Sequence, residues 1–521
     1  MPDTIRFLEQ ELAVRGGMPV EQTQTHVSLV LLSPALAWKI KKPVTLPYLD
    51  FGTAALRLAA CQRELALNRR TAPSLYRAVH RVTRDASGRL AIDGDGELVD
   101  AVLEMRRFDE EGLFDRLAAR GELAPALVTA LAGQIAAFHR AAAPTVPPAG
   151  SGSRRIAAVL EINERALREG VGVLGEAAAR RVIDASRATW RRVAPLLDAR
   201  QDDGRVRHCH GDLHLRNIVA IDGMPTLFDC LEFDDDMATI DVLYDLAFAL
   251  MDLWHAGNQP LANLLLNRYL DQADEADGLP LLPLFMAMRA TVRAHVTATQ
   301  ALATPAGPAV RDAGDGAAPE RETLARAACD YLALADRLLA PAPPCLVAVG
   351  GYSGSGKSTT AAAVAHAVGA PPGARVLSSD RLRKALHGVS PQTRLPPQAY
   401  RPEVSEQVYR AMAEQAAAVL ASGHGVVADA VFDRAQDRAR IGSVAEAAGV
   451  PFIGAWLEAP AAVLLDRVAK RHGDPSDADA AVVERQLERD VGPLDWHRID
   501  SGGDAPARVL AHLRAATASP G

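Results

Sequence analysis

Two short stretches crowd together side chains of the kind that handle phosphate. In HCHGDLHLRNIV, residues 208–219, His210, Asp212 and Asn217 precede an apolar run that should enter a core. Phosphoryl transfer needs one carboxylate to orient or deprotonate an acceptor hydroxyl, and separate oxygen ligands to hold Mg2+ on a triphosphate. Asp229, which follows the apolar run in PTLFDCLEFD, supplies a further carboxylate in the expected order. The second stretch, GGYSGSGKSTT at 350–360, satisfies G-x-x-x-x-G-K-[ST] through Gly351, Gly356, Lys357 and Ser358. Its setting is the right one, with the strand-like CLVAVG before it and the helix-like STTAAAVAHAVG after it. Glycines, Gly354 among them, let the loop fold round a phosphate with its N–H groups inward, so Ser353, Ser355 and Thr359 join the candidate nucleotide contacts. The helix N-terminus adds positive potential, Lys357 neutralises phosphate charge, and the Ser358 hydroxyl can ligate Mg2+.

His210, Asp212 and Asn217 have the spacing of the protein-kinase catalytic loop, but Gly211 stands where those kinases carry Arg. HGDLHLRN instead resembles the HGD-x-x-x-x-N loop of the aminoglycoside and choline phosphotransferases, small-molecule kinases with the eukaryotic-kinase fold. The resemblance implies that Asp212 is the catalytic base and that Asn217 and Asp229 are metal ligands, although the Phe and Gly of the kinase D-F-G are missing. It also implies that Asp245, in TIDVLYDLAFAL, is a hydrogen-bonding anchor. ALAWKIKKPV offers Lys39 or Lys41 as the lysine that contacts ATP phosphates, with Glu64 on the following helix as its ion-pair partner. Apolar neighbours on both sides favour Lys39. VLEMRRF resembles the strand leading to the hinge, where backbone groups near Met105 would meet adenine. The rival reading, zinc on His208, Cys209, His210 and His214, is disfavoured because successive residues of an extended segment face opposite ways.

Beyond the Gly-rich loop, LSSDRLRK places Asp380 at the carboxyl end of a strand, with Arg381, Arg383 and Lys384 just after it. Open α/β sheets bind ligands at such strand ends. This half resembles the small-molecule P-loop kinases of the gluconate, shikimate, adenylylsulfate and zeta-toxin types. On that resemblance Asp380 is the candidate base, Asp429 in GVVADAVFDR faces Mg2+-bound water or substrate, and Arg467 and Arg471 are lid arginines that reach the triphosphate. A helix N-cap for Asp380 and a solvated helix face for the two arginines are the plainer alternatives.

These residues need two different scaffolds. At 521 residues the chain exceeds one ordinary core. The segment of about 302–320 loses hydrophobic periodicity and reads as a loop, a helical pattern follows, and PAPP at 341–344 stops it. The expected domains are therefore 1–340 and 341–521. The first is a bilobal α+β domain, a small β-rich lobe followed by helices. The second alternates short apolar runs with helical patterns, as a parallel sheet covered by helices does.

Hydrophobic residues make up 49% and charged residues 23%, and the formal charge of -7 is mild for this length, so neither a nucleic-acid nor a membrane-surface partner is signalled. Five cysteines without C-x-x-C spacing fit a reducing cytoplasm. The N-terminus lacks the basic end and apolar stretch of a signal peptide, and no segment offers some 18 uncharged apolar residues. The expected partners are Mg·ATP and a small-molecule hydroxyl acceptor. A nucleic-acid or nucleotide-sugar acceptor for the second domain, or a nucleotide-sensing role for one of the two, are the alternatives. No feature of the sequence sets an oligomeric state.

Overall fold

The computed structural model describes residues 2–24, 27–46, 49–145, 150–305, 320–470 and 475–518. Packing divides the chain into two compact units, residues 1–158 with 194–256 and residues 159–193 with 257–521. Residues 257–340 thus pack in the unit that holds the Gly-rich loop, on the far side of the boundary expected from composition.

The first unit opens with strands β1 (Glu21–Gln24), β2 (Ser28–Leu32) and β3 (Leu36–Lys41), then the two-residue strands β4 (Thr45–Leu46) and β5 (Leu49–Asp50). Strands β6 (Tyr76–Arg84), β7 (Leu90–Ile92) and β8 (Glu97–Arg106) follow. Six of these form an antiparallel sheet in the order β1-β2-β3-β8-β6-β7. Strand alternation divides its apolar side chains between two faces. Trp38, Ile40 and Val102 join Leu8 and Leu12 of the helix Pro2–Gly16 on one face, and Ala101 and Leu103 join Cys61 of the helix Ala54–Asn68 on the other. Thr53 caps that second helix by accepting from the Leu56 N–H. Its buried residues Arg57, Cys61, Glu64 and Asn68 recur at helical spacing, which puts Glu64 on the side turned to the sheet.

The rest of this unit is mainly helical, with short strands β9 (Val206–His208), β10 (Ile218–Ile221), β11 (Met224–Leu227) and β12 (Thr239–Asp241) framing the HGD segment. β10 and β11 form a hairpin, and β12 pairs antiparallel with β9. The helix Val242–His255 is buried on nearly every side, as its almost unbroken apolar sequence requires.

The second unit contains a five-stranded parallel sheet, β13 (Leu346–Gly350), β14 (Arg375–Ser378), β15 (Val426–Asp429), β16 (Phe452–Glu458) and β17 (His497–Asp500), in the order β14-β15-β13-β16-β17. Buried on both faces, the central strands are apolar apart from Asp429 at the end of β15. The helical pattern before PAPP is the helix Glu320–Leu338, while residues 306–319 of the expected loop lie outside the described residues. Among the described residues no helix is long and apolar enough to cross a membrane. The two scaffolds are those expected, a kinase-like region and a P-loop α/β region.

Candidate active sites

In the first unit, residues from four distant segments meet. Lys39 on β3 places its Nζ 2.7 Å from Glu64 Oε1 and 2.7 Å from Asp229 Oδ1. Burial would lower the Lys39 pKa, but the carboxylates of Asp229 and then Glu64 outweigh it and hold the ammonium well above its ordinary value. Glu64 answers in kind: burial opposes its charge, yet Lys39 and Lys41 bring its pKa down to about 2. Lys41 also bonds Glu64, at 2.5 Å, and Glu232 Oε1 at 2.5 Å. Residues two apart on a strand share a face, so alternation cannot separate Lys39 from Lys41. What separates them is the second partner, Asp229 for Lys39 and Glu232 for Lys41.

The residues of the HGD segment are held by hydrogen bonds to its backbone. Gly211 adopts φ 83° and sits where an added Cβ would lie 3.0 Å from Leu231 Cβ, so an ordinary side chain would be strained and crowded there. Asp245 accepts from the N–H groups of Gly211 (2.9 Å) and His210 (3.2 Å), the anchoring expected of it. Asn217 turns its Nδ2 to the Asp212 carbonyl (2.9 Å) and to Asp212 Oδ2 (3.1 Å). Its carboxamide oxygen therefore faces the other way. Asp229 has φ 62°, a left-handed conformation that Asp tolerates better than most residues, and its N–H donates to the Tyr76 hydroxyl at 3.1 Å. Cys230 N–H donates to Asn68 Oδ1 at 2.9 Å, which ties this segment to the helix that carries Glu64. Met105 is the penultimate residue of β8, paired with Ala37 and Tyr76 just before the strand leaves the sheet.

The histidines and cysteine of the zinc alternative do not converge. Among the described residues, the group with metal-like proximity is His139, Cys209 and Asp245. Burial lifts the Cys209 thiol well above its usual range, and it donates to the Ile240 carbonyl at 3.5 Å. With Asp245 occupied by two backbone N–H groups and by His139 at 3.1 Å, this cluster is a hydrogen-bonded anchor.

In the second unit, the loop from Gly351 to Gly356 joins β13 to the helix Lys357–Ala365. Gly354 has φ 85° and lies against Leu464, whose carbonyl oxygen would be 2.5 Å from an added Cβ. Ser353 N–H donates to Gln486 Oε1 at 2.8 Å, Ser355 is buried, and Ser358 and Thr359 are exposed. Lys357 Nζ donates to the Tyr352 carbonyl at 3.2 Å. Asp429, buried at the end of β15, has its pKa raised by burial; Lys357 and a hydrogen bond from Ser358 act against this, while the charge of Asp380 adds to it. Asp380 lies in the first turn of the helix Ser379–Leu386. Arg467 donates to the Gly354 carbonyl at 3.3 Å and to Ser501 Oγ at 3.1 Å. Arg471 lies outside the described residues.

The residue types fit the ligand they would hold. Each site offers oxygen donors, Asn217 and Asp229 in one and Ser358 and Asp429 in the other, the donor set that Mg2+ prefers. In each a lysine stands beside them, and the second adds a cradle that side chains would fill.

Several contributors were not read from the sequence. Glu232, Tyr76 and Asn68 support the first site, and Gln486 the second. The one available signal was Glu232, an acid three residues beyond Asp229 in an otherwise apolar turn. Arg383 and Lys384 bind protein rather than facing outward: Arg383 donates to the Ala399 carbonyl at 2.7 Å, and Lys384 pairs with Asp477 at 2.9 Å.

Residues 51–281 match the family described as phosphotransferase enzyme family, and residues 346–492 match an AAA domain. The protein is therefore a kinase, with a phosphotransferase-family domain joined to a P-loop kinase-type domain. It belongs to the family of Uncharacterized protein Rv2004c of Mycobacterium tuberculosis (strain H37Rv), to which it is 30% identical over 93% of both chains. An adenylyl-sulfate kinase of Myxococcus xanthus is 35% identical over 121 residues, 23% of this chain and 60% of that protein. Among solved structures, a choline/ethanolamine kinase family protein from Mesorhizobium loti aligns with 64% of this chain and 99% of its own at 13% identity and TM-score 0.30. A gluconokinase from Sinorhizobium meliloti aligns with 34% and 96% at 24% identity and TM-score 0.24.

Proposed function

We propose that this kinase has two separate Mg·ATP sites, one in residues 1–340 and one in 341–521, each transferring the γ-phosphoryl group to a hydroxyl of a small molecule. The observation that carries the reading is Lys39 held 2.7 Å from both Glu64 and Asp229 in the same unit as the Asp212–Asn217 pair. In the first site Asp212 takes the proton of the acceptor hydroxyl as its oxygen bonds to the γ-phosphorus. The bond from that phosphorus to the bridging oxygen breaks, and ADP leaves with the electron pair. Lys39, aligned by Glu64, contacts the phosphates, with the adenine near Met105, and Asn217 and Asp229 hold the metal. In the second site Asp380 plays the part of Asp212, the loop N–H groups with Lys357 and Arg467 grip the phosphates, and Ser358 and Asp429 hold the metal. Arg471 is assigned to the same lid as Arg467. Mg2+, when bound, neutralises charge on the phosphate oxygens. Five free cysteines support a reducing, cytoplasmic setting.

The test is phosphoryl transfer from γ-labelled ATP by the full-length protein to a library of polyols, sugars and amino sugars. Asp212→Ala and Lys357→Ala are expected to remove different products. If no acceptor is labelled, the two-site reading fails. If one substitution removes every product while the other removes none, the insensitive domain is a nucleotide sensor.

A further inference from the structure

The helix Gln259–Leu270 falls within the stretch that matches the phosphotransferase family, yet its buried face serves the P-loop sheet. Asn263, Asn267 and Asp271 recur every fourth residue and so line one side. β14 is an outer strand of the five-stranded sheet, and an outer strand leaves alternate N–H and C=O groups without a neighbouring strand. Asn267 supplies both kinds of partner, its Nδ2 donating to the Ala374 carbonyl at 3.0 Å and its Oδ1 accepting from the Val376 N–H at 2.7 Å. A carboxamide thus stands where the peptide group of a further strand would be. Asn263 Nδ2 donates to the carbonyls of Pro372 (3.1 Å) and Ala374 (3.0 Å), and the two asparagines are 2% and 1% exposed.

Asp271 extends this line. Its Oδ1 lies 2.9 Å from Arg375 Nη1, and its Oδ2 lies 3.1 Å from Arg381 Nη1 and 3.0 Å from Arg268 Nη1. Arg375 opens β14, and Arg381 follows Asp380 directly in the helix Ser379–Leu386. One carboxylate therefore ties both ends of the segment that carries Asp380. Successive helical residues point about 100° apart, so holding Arg381 on Asp271 sets the direction of Asp380.

We infer that Asp271, acting through Arg381, is a positioning residue for the second site, and that the helix Gln259–Leu270 is a working part of the P-loop kinase. The inference rests on Asp380 being the acceptor-side base. It is tested on full-length protein with Mg·ATP and water as the acceptor, taking the hydrolysis lost in Lys357→Ala as the signal of the second site. Arg381→Met removes one tie and keeps an apolar stem; Asp271→Asn keeps the shape and removes the charge. Each is expected to lower that hydrolysis about tenfold, as misdirection of a reacting group does, while the Lys357-dependent affinity for Mg·ADP stays within about twofold. Hydrogen exchange should quicken over residues 379–386 and not over 351–365. Hydrolysis within about twofold of wild type in both variants overturns the inference, and so does a loss of Mg·ADP affinity that parallels the rate, the mark of a collapsed loop. If wild type and Lys357→Ala hydrolyse ATP equally, it is the catalytic reading of the P-loop that fails. Unchanged exchange over 379–386 would then overturn the positioning role on its own.

Discussion

The two proposed sites would meet the same demand, gripping a triphosphate, by opposite constructions. In the first, charged side chains arrive from separate segments, and Lys39 and Asp229, 190 residues apart in the chain, touch only because the lobe is folded. In the second, one contiguous loop carries most of the candidate contacts, and within it Gly354 is packed close against Leu464. A site of converging charges should be sensitive to any change of sign or partner. A site made of backbone should be sensitive to volume.

Substitutions can break or sharpen that contrast. The largest effects are expected from Asp212→Ala and Lys357→Ala, each lowering phosphoryl transfer at its own site about 1,000-fold and leaving the other's product unchanged, as product-resolved rates would show. A single substitution that silences both products would end the idea of independent sites. Next comes Glu64→Gln. It leaves two buried lysines short of a counter-charge, and should cost about 3 kcal/mol in denaturant unfolding of the first unit. An unchanged midpoint would mean that Asp229 and Glu232 suffice for both ammonium groups.

Volume is the matching probe of the second site. Gly354→Ala forces a Cβ towards the Leu464 carbonyl from a left-handed backbone, and should cost about 2 kcal/mol, roughly 30-fold in Mg-nucleotide affinity by calorimetry. Wild-type affinity would show that the loop has room to move.

Two pH effects carry opposite signs. Glu64 has a folded pKa of about 2 against an ordinary 4.5, so its contribution to stability is present above 4.5 and is lost as pH falls towards 2. Burial, the main cause, lifts Asp437 in the second unit from 3.8 to about 6. The stability linked to that group is present below 3.8 and is lost as pH rises through about 6. Melting temperatures of Asp437→Asn should therefore vary less between those two pH values than those of wild type. A wild-type curve as flat as the variant's would remove the contrast.

The difference in construction also governs what could be read in advance. Gly351 to Ser358 and Asp212 to Asn217 are each close in sequence, so the motif of one and the family resemblance of the other are visible within a few residues. Lys39 was harder, because Lys41 shares its face and its glutamate. Glu232 was missed because its partner lies 191 residues away, and its one local mark, an acid among apolar neighbours, does not say what it pairs with. Arg383 and Lys384 resembled ligand contacts only until their protein partners, Ala399 and Asp477, were in view.

Hydrophobic periodicity, turn residues and the short-range order of Asp, Asn, Gly and Lys by themselves determined that this chain makes two scaffolds for phosphate chemistry, because those signals act within one element. Only the tertiary structure decided where the helix Gln259–Leu270 belongs. Its asparagines would suit a solvated face, and they acquire meaning from the open edge of β14, more than 100 residues further along the chain. Hydrogen-bond demand at a sheet edge exists only once the sheet has formed, so no local pattern announces the residue that meets it.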